Sequence, residues 1–206
     1  MLDSIPYLVE PMAISDLDGV MAIERVSFSL SWSERAYRYE IVENEHSTML
    51  VVRLAPRFLG RSVPWLRRLG RGKPGPVLGY AGFWLLVDDA HVATIAVDPG
   101  HRGGGLGALL LASLIERAID LGAQRATLEV RVSNETAKGL YLKYGFEIVE
   151  RRRRYYSDNN EDAYLMATPS FESPDFQQTL RRNTAALARR LSQSPPPAAR
   201  NLARRD

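Results

Sequence analysis

The chain has 206 residues, with 27 Lys and Arg against 24 Asp and Glu, a formal charge of +3 and no cysteine. Disulfides, thiolate metal sites and cysteine nucleophiles are therefore excluded, while 45% hydrophobic and 25% charged residues suit one globular domain with some sequence to spare. No apolar run has the length of a membrane span, and the first residues lack a basic-then-apolar signal pattern, so a cytoplasmic protein with no membrane partner is expected.

Residues 15–29 are predicted to form a helix, because Leu17, Val20, Met21, Ile23 and Phe28 fall near helical spacing. A second helix is predicted over 33–44, where Ser33 and Glu34 supply a capped, acidic first turn. The apolar run 48–54 reads as a strand, and 77–87 and 91–97 as a hairpin turning at Asp88 and Asp89. Residues 106–121 carry Leu109, Leu110, Leu114, Ala118 and Leu121 on nearly one side, with Gly122 as the stop. Residues 125–132 alternate as a strand does, and 134–144 form a short helix between Asn134 as cap and Gly145 as stop. Residues 146–155 and 162–167 read as the last two strands, joined by a polar turn. The order predicts a mixed α/β domain within residues 1–169, its elements lying between about 7 and 169.

The charge is unevenly placed. Residues 53–76 hold seven bases, four prolines, four glycines and no acid, and residues 170–206 hold seven arginines against three acids. These two pieces total 14 bases and 3 acids, which leaves 13 bases and 21 acids, a charge of −8, on the rest. The insertion 53–76 interleaves its bases with Phe58, Leu59, Trp65, Leu66 and Leu69, and reads either as a loop extension or as a weak RNA contact. Within the extension, 174–191 has the pattern of a helix with Phe176, Leu180, Leu187 and Leu191 on one face and Arg181, Arg182, Arg189 and Arg190 beside it. That helix either docks on the domain or meets an anionic surface. Ser194 and the three prolines after it begin a low-complexity tail.

The most informative stretch follows the strand Ile95-Ala96-Val97. In Gly100-His101-Arg102-Gly103-Gly104-Gly105-Leu106-Gly107, five of eight residues are glycine, directly before the longest helical pattern in the body. Glycines let backbone N–H groups approach a ligand without Cβ interference. The helix N-terminus adds about half a positive charge and Arg102 a full one, a construction suited to a diphosphate. The run formally satisfies the dinucleotide pattern G-x-G-x-x-A, but five residues separate it from the strand that this pattern expects to lead straight in. The Walker pattern is absent.

Arg102 to Gly107 instead fits Q/R-x-x-G-x-G/A and resembles the acetyl-CoA pyrophosphate loop of the Gcn5-related N-acetyltransferases (GNAT), which lies between a strand and a helix in the same way. Downstream, Thr127-Leu128-Glu129-Val130-Arg131, Ser133-Asn134, Leu140-Tyr141, Tyr144-Gly145-Phe146 and Tyr155-Tyr156 are similar to the bacterial ribosomal-protein-alanine N-acetyltransferases, as are Phe28 and Trp32-Ser33-Glu34 upstream. The resemblance covers about residues 13–169. It implies a GNAT fold: a mixed, mostly antiparallel sheet of six to seven strands, flanked by four helices and splayed between its fourth and fifth strands.

The same resemblance implies acetyl-CoA as co-substrate. It places the pantetheine arm along Ile95, Ala96 and Val97, where the N–H of Val97 would polarise the thioester carbonyl. The phosphates fall on Arg102, Gly103, Gly104, Gly105, Leu106, Gly107 and Ala108, and a further cofactor contact on Asn134. It makes Glu129 the general base and Tyr141 the general acid for the leaving thiol. From the residues alone, Glu129 is equally a surface carboxylate, Tyr141 a core aromatic with Tyr144 as its rival, and Asn134 a simple helix cap. Trp32, Tyr155 and Tyr156 are candidates for the acceptor mouth or for ordinary packing. His91 and His101 read as polar surface residues, and no clustered ligand pattern calls for a metal.

The expected acceptor is a protein N-terminus, above all the N-terminal alanine of small-subunit ribosomal protein eighteen. The alternatives are another amine, such as a lysine, a polyamine or an antibiotic, and a ribosome-associated binding module without catalysis. A monomer and a homodimer are both compatible with the sequence.

Overall fold

Strand alternation organises the molecule around one sheet. The computed structural model describes residues 5–55 and 75–193. The strands are β1 (Tyr7–Pro11), β2 (Ser47–Leu54), β3 (Gly79–Leu86), β4 (Asp89–Val97), β5 (Arg125–Arg131), β6 (Glu147–Tyr156) and β7 (Glu161–Ala167). The helices are α1 (Leu17–Ser27), α2 (Glu34–Val42), α3 (Leu106–Asp120), α4 (Glu135–Lys143) and α5 (Pro174–Gln193). Spatial order is β1-β2-β3-β4-β5-β7-β6, and every pair is antiparallel except β4 with β5.

The sheet has the expected mixed character, with one strand the sequence does not announce. β1 is five residues long, ends on Pro11, and pairs with β2 from Tyr7↔Leu54 to Pro11↔Leu50. Its pattern is too short to read, and proline is tolerated because β1 is an edge strand.

Along β2, Leu50, Val52 and Leu54 join one core, while Met49 and Val51 join the other. The first core receives α3, α4 and α5, and the second receives Leu17, Val20, Ile23 and Tyr37 from α1 and α2. Ser33 caps α2 by accepting from the N–H of Ala36 at 3.1 Å, and Asn134 caps α4 by accepting from that of Ala137 at 3.1 Å.

The expected four helices are joined by a fifth. α5 lies on the domain, with Phe176, Leu180, Leu187 and Leu191 buried, which is the apolar face its sequence pattern shows. Burying a side chain of this kind contributes roughly 1.5–3 kcal/mol. Asn183 donates through Nδ2 to the carbonyl of Lys143 at 2.6 Å, satisfying a carbonyl in the last turn of α4.

Most of the basic insertion, residues 56–74, lies outside the described residues, as does the tail from 194. Its first member, Arg53, is not an exposed base at all. It is 4% exposed, sits 2.6 Å from Glu10 Oε1 and 2.7 Å from Asp16 Oδ1, and donates to the carbonyl of Gly75 at 2.6 Å. One of the seven bases is thus neutralised inside the domain.

Candidate active site

A cavity opens because two ladders on β4 differ. Toward β5 the register runs Asp89↔Arg125, Ala90↔Ala126 and His91↔Thr127, and then stops. Toward β3 it continues to Gly79↔Val97, with an irregularity that pairs Gly82 with Thr94 and Phe83 with Val92. Ala93 is left over as the extra residue of a β-bulge, which increases local twist. Beyond His91 and Thr127 the facing edges of β4 and β5 therefore diverge. A cavity of about 530 Å³ fills the gap, lined on one side by Val92 to Ile95 and on the other by Leu128 to Arg131. Glu24, Trp32, Asn134, Tyr141 and Tyr156 complete its walls.

Glu129 projects from β5 on the face opposite the buried Leu128 and Val130. Its side chain is 10% exposed, with Oε2 at 3.1 Å from His91 Nε2 and Oε1 at 2.6 Å from Arg152 Nη1. The His91 hydrogen bond holds the carboxyl below its ordinary value; burial opposes this and the Arg152 charge assists it. Glu129 is thus an ionised carboxylate at neutral pH, able to accept a proton. His91 is not the free surface group its sequence context suggests. Its Nδ1 contacts Thr127 Oγ1 at 3.0 Å, and its ring stacks on Trp84, which stacks on Trp32 with centroids 5.7 Å apart.

Tyr141 and Asn134 lie two turns apart on α4 and both line the cavity, with Ala137 between them. Burial, with Tyr156 nearby, raises the Tyr141 hydroxyl above the ordinary phenol value, so it keeps its proton at neutral pH. The rival Tyr144 is fully buried in the core and absent from the lining. Tyr144, three positions on, is the C-cap residue of α4, where the backbone leaves helical geometry, and its ring enters the core.

The aromatic mouth is partly as expected. Trp32 and Tyr156 line the cavity, whereas Tyr155 is 45% exposed and packs edge-on against Tyr156 outside the lining. The Arg131 guanidinium lies 3.8 Å from the Tyr156 ring centroid. Arg131 also reaches Asp158 Oδ2 at 2.8 Å and Ser29 Oγ at 3.3 Å. Ser29 in turn donates to Asp158, so the α1–α2 loop is tied to the β6–β7 hairpin. Ser133 donates its N–H to Glu161 at 2.8 Å, and hydrogen bonds from the Ser133 side chain first and this N–H second depress that carboxyl to about 2.

Glu24, which nothing in the sequence reading singles out, is 1% exposed and accepts from the N–H of Trp32 and the hydroxyls of Tyr37 and Tyr80. An acidic residue among the apolar positions of α1 is the signal that would have found it. Arg131 was findable too: it follows Glu129 by two residues and therefore shares its face. His91 and Arg152 reach Glu129 from other strands, so their contacts have no local signature.

The glycine loop sits at the end of β4. Asp98 Oδ1 accepts from the N–H of Gly100 and lies 2.8 Å from His101 Nδ1, shaping a short turn. Gly103 and Gly105 have φ of +73° and +100°, values open to glycine, and Gly105 caps α3 without a side-chain bond. A Cβ on Gly103 would meet nothing within 4 Å, and the first turn of α3 carries no acid. A helix N-terminus with no side-chain cap and no acid in its first turn suits an anion such as a diphosphate. Gly107 lies between Val97 and Leu140, linking the loop to the mouth of the splay.

One expected cofactor residue, Arg102, points elsewhere than the sequence reading has it, and the β4 trio keeps only its backbone for the arm at Ala96. Arg102 turns away from the glycines, donating through Nε to the carbonyl of Val97 at 3.0 Å and through Nη2 to Ser27 Oγ at 2.9 Å. Of the β4 trio, Ile95 lines the cavity, while the Ala96 side chain is buried against the α1–α2 core.

Comparison with known proteins agrees with this geometry. The model of the "Acetyltransferase (GNAT) family" matches residues 17–146. A putative [ribosomal protein bS18]-alanine N-acetyltransferase of Bacillus subtilis is 37% identical over 158 residues, 77% of this chain and 92% of that protein. An N-alpha-acetyltransferase of Sulfurisphaera tokodaii is 49% identical over 165 residues, 79% of this chain and 93% of that protein. Among solved structures, the ribosomal-protein-S18-alanine N-acetyltransferase from Escherichia coli superposes with a TM-score of 0.64 at 27% identity, covering 82% of this chain and 97% of that one. The chain belongs to the GNAT family: it is an N-acetyltransferase, and its acetyl donor is acetyl-CoA.

Proposed function

We propose that the protein is an Nα-acetyltransferase of protein N-termini, with the N-terminal alanine of ribosomal protein S18 as its foremost acceptor. The names of the Bacillus, Sulfurisphaera and Escherichia relatives support this acceptor class. We assign residues 1–169 to the catalytic domain and 170–206 to an extension, and place the enzyme in the cytoplasm. No helix among the described residues is long and apolar enough to cross a membrane.

The observation that carries the catalytic reading is that Glu129 and Tyr141 line one cavity, which begins where β4 and β5 part. Bound acetyl-CoA supplies an acetyl group activated as a thioester. The Glu129 carboxylate takes the proton from the incoming ammonium, directly or through a water, and leaves a nucleophilic amine. An α-amine has a pKa near 7.7–8.0, so at neutral pH this step costs only about 1 kcal/mol. The amine forms its C–N bond at the thioester carbonyl as the C–S bond breaks; Tyr141 passes its hydroxyl proton to the departing sulfur and recovers one from the second proton shed by the acylated nitrogen, directly or through a water. The raised pKa of Tyr141 makes it a weak acid, but the burial that disfavours its phenolate disfavours a thiolate beside it as well. Trp32 and Tyr156 narrow the mouth and exclude water from the acceptor's first residues. With no cysteine in the chain, transfer is direct, without an acetyl-cysteine intermediate.

Mass spectrometry of the N-terminal proteome, with and without the protein, tests the acceptor. Loss of acetylation at the S18 alanine on removal of the protein is expected. An unchanged N-terminal proteome with altered lysine acetylation would overturn the reading.

A further inference from the structure

The helix that follows the catalytic elements touches the glycine loop in a way the family pattern does not account for. The family match ends at residue 146, whereas α5 begins at Pro174. Near its C-terminal end, Leu187 and Leu191 are buried, and their methyl carbons stand 3.1 and 3.4 Å from where a Gly105 Cβ would lie. Arg190 falls between these two anchors. Its Nη2 donates to the carbonyl of Gly103 at 2.6 Å, while the rest of the side chain is exposed. α5 is thus seated directly on the turn that opens α3.

Charge at this turn is otherwise sparse. Arg102, the loop's own arginine, is directed to Val97 and Ser27. His101 is held by Asp98. The first turn of α3 has no acid to compete for a cation, and Arg190 has no carboxylate partner among the described residues. A guanidinium has five donors in a rigid fork, and the bond to Gly103 uses one of its ends. The bond to Gly103, whose Cβ position is open, holds the guanidinium at the turn that precedes a helix N-terminus, where an anion is favoured.

We propose that Arg190 is a phosphate-binding residue for the CoA donor, delivered to the pyrophosphate loop by the C-terminal helix. The helix supplies a cation to a loop whose own arginine is occupied elsewhere. Its buried leucines fix where that cation stands, so little side-chain entropy is lost on binding. The inference concerns the donor end of the enzyme and stands whichever amine is the acceptor.

The test is calorimetric titration of the full-length protein with CoA and with dephospho-CoA, at low and high salt, alongside Arg190→Gln and Arg190→Lys. Arg190→Gln keeps a hydrogen-bond donor for Gly103 but removes the charge. It is expected to weaken CoA about tenfold, the effect of losing one charge-assisted hydrogen bond, with the difference shrinking as salt rises. Arg190→Lys is expected to restore part of the affinity. A loss seen with both ligands locates the contact on the diphosphate, and a loss seen only with CoA locates it on the 3′-phosphate. Equal CoA affinity for Arg190→Gln and the parent would overturn the proposal. So would a loss independent of salt and matched by a lower melting temperature, because the arginine would then serve only to pin the loop.

Discussion

β4 has two neighbours and treats them differently. On the β3 side it is paired along its length, and the residues there fill the two cores, with Phe83 and Tyr80 fully buried. On the β5 side it keeps three rungs and then lets go. The paired side fills the cores, and the parted side opens the cavity to which we assign the chemistry. A sheet edge left without a partner inside a domain is costly unless something else meets its backbone groups, the part we propose for the pantetheine arm of acetyl-CoA.

That division can be broken by substitution. Glu129→Gln on the parted side is expected to lower kcat by about 10²–10³-fold, within the usual range for a general base, with CoA affinity from calorimetry nearly unchanged. An undiminished kcat would remove Glu129 from the reaction. Phe83→Ala on the paired side should instead cost about 3–5 kcal/mol in a denaturant melt. Its turnover per folded molecule should stay near that of the parent. A severe catalytic defect there, with normal stability, would erase the contrast.

Tyr141→Phe should reduce kcat by about 10–100-fold, whereas Tyr144→Phe, at the buried C-cap of α4, should leave kcat alone. Equal losses in the two would mean that the cavity wall does not select the acid. His91→Ala removes the main cause of the depressed Glu129 pKa, so that pKa moves up. The acid limb of the kcat–pH profile should then shift to higher pH, with a smaller fall in the plateau.

The smallest effect concerns the β6–β7 hairpin. Asp158, Glu161 and Asp162 all have depressed pKa values, caused chiefly by hydrogen bonds from Ser29, Ser133 and the N–H of Arg154 respectively. A folded-state pKa below the unfolded one stabilises at neutral pH, and this is lost as pH falls through the folded value. Amide exchange in this hairpin should therefore quicken as pH drops from about 4.5 toward 2, earlier than in the β2–β3 ladder, once corrected for intrinsic rates. Uniform behaviour of the two would contradict it.

What was legible in the chain was whatever has a local cause. The helices announced themselves by apolar spacing, and Ser33 and Asn134 cap where they were expected to. The four glycines before α3 made a candidate phosphate loop readable from composition, because few other residues accept φ near +73° or +100°. The alternation Ala126, Leu128, Val130 inward put Thr127, Glu129 and Arg131 together on the other face. The brevity of β1, the turning away of Arg102 and the withdrawal of Tyr155 from the mouth had no such cause.

The sequence by itself determined most of the elements and the glycine turn, since periodicity, capping and backbone freedom act within a few residues, while Glu129 and Tyr141 stood out only through the family resemblance. Only the tertiary structure decided what those residues meet. Glu129 takes its state from His91 on β4 and Arg152 on β6, Trp32 is held by Glu24 from the helix before it, and the loop receives its cation from Arg190, 87 residues away along the chain. Electrostatics and hydrogen bonding depend on distance in space, which the order of residues does not contain until the sheet is assembled. The charge of +3 follows the same logic: it counts Arg53 as one more surface base, while the fold seals that arginine against Glu10 and Asp16.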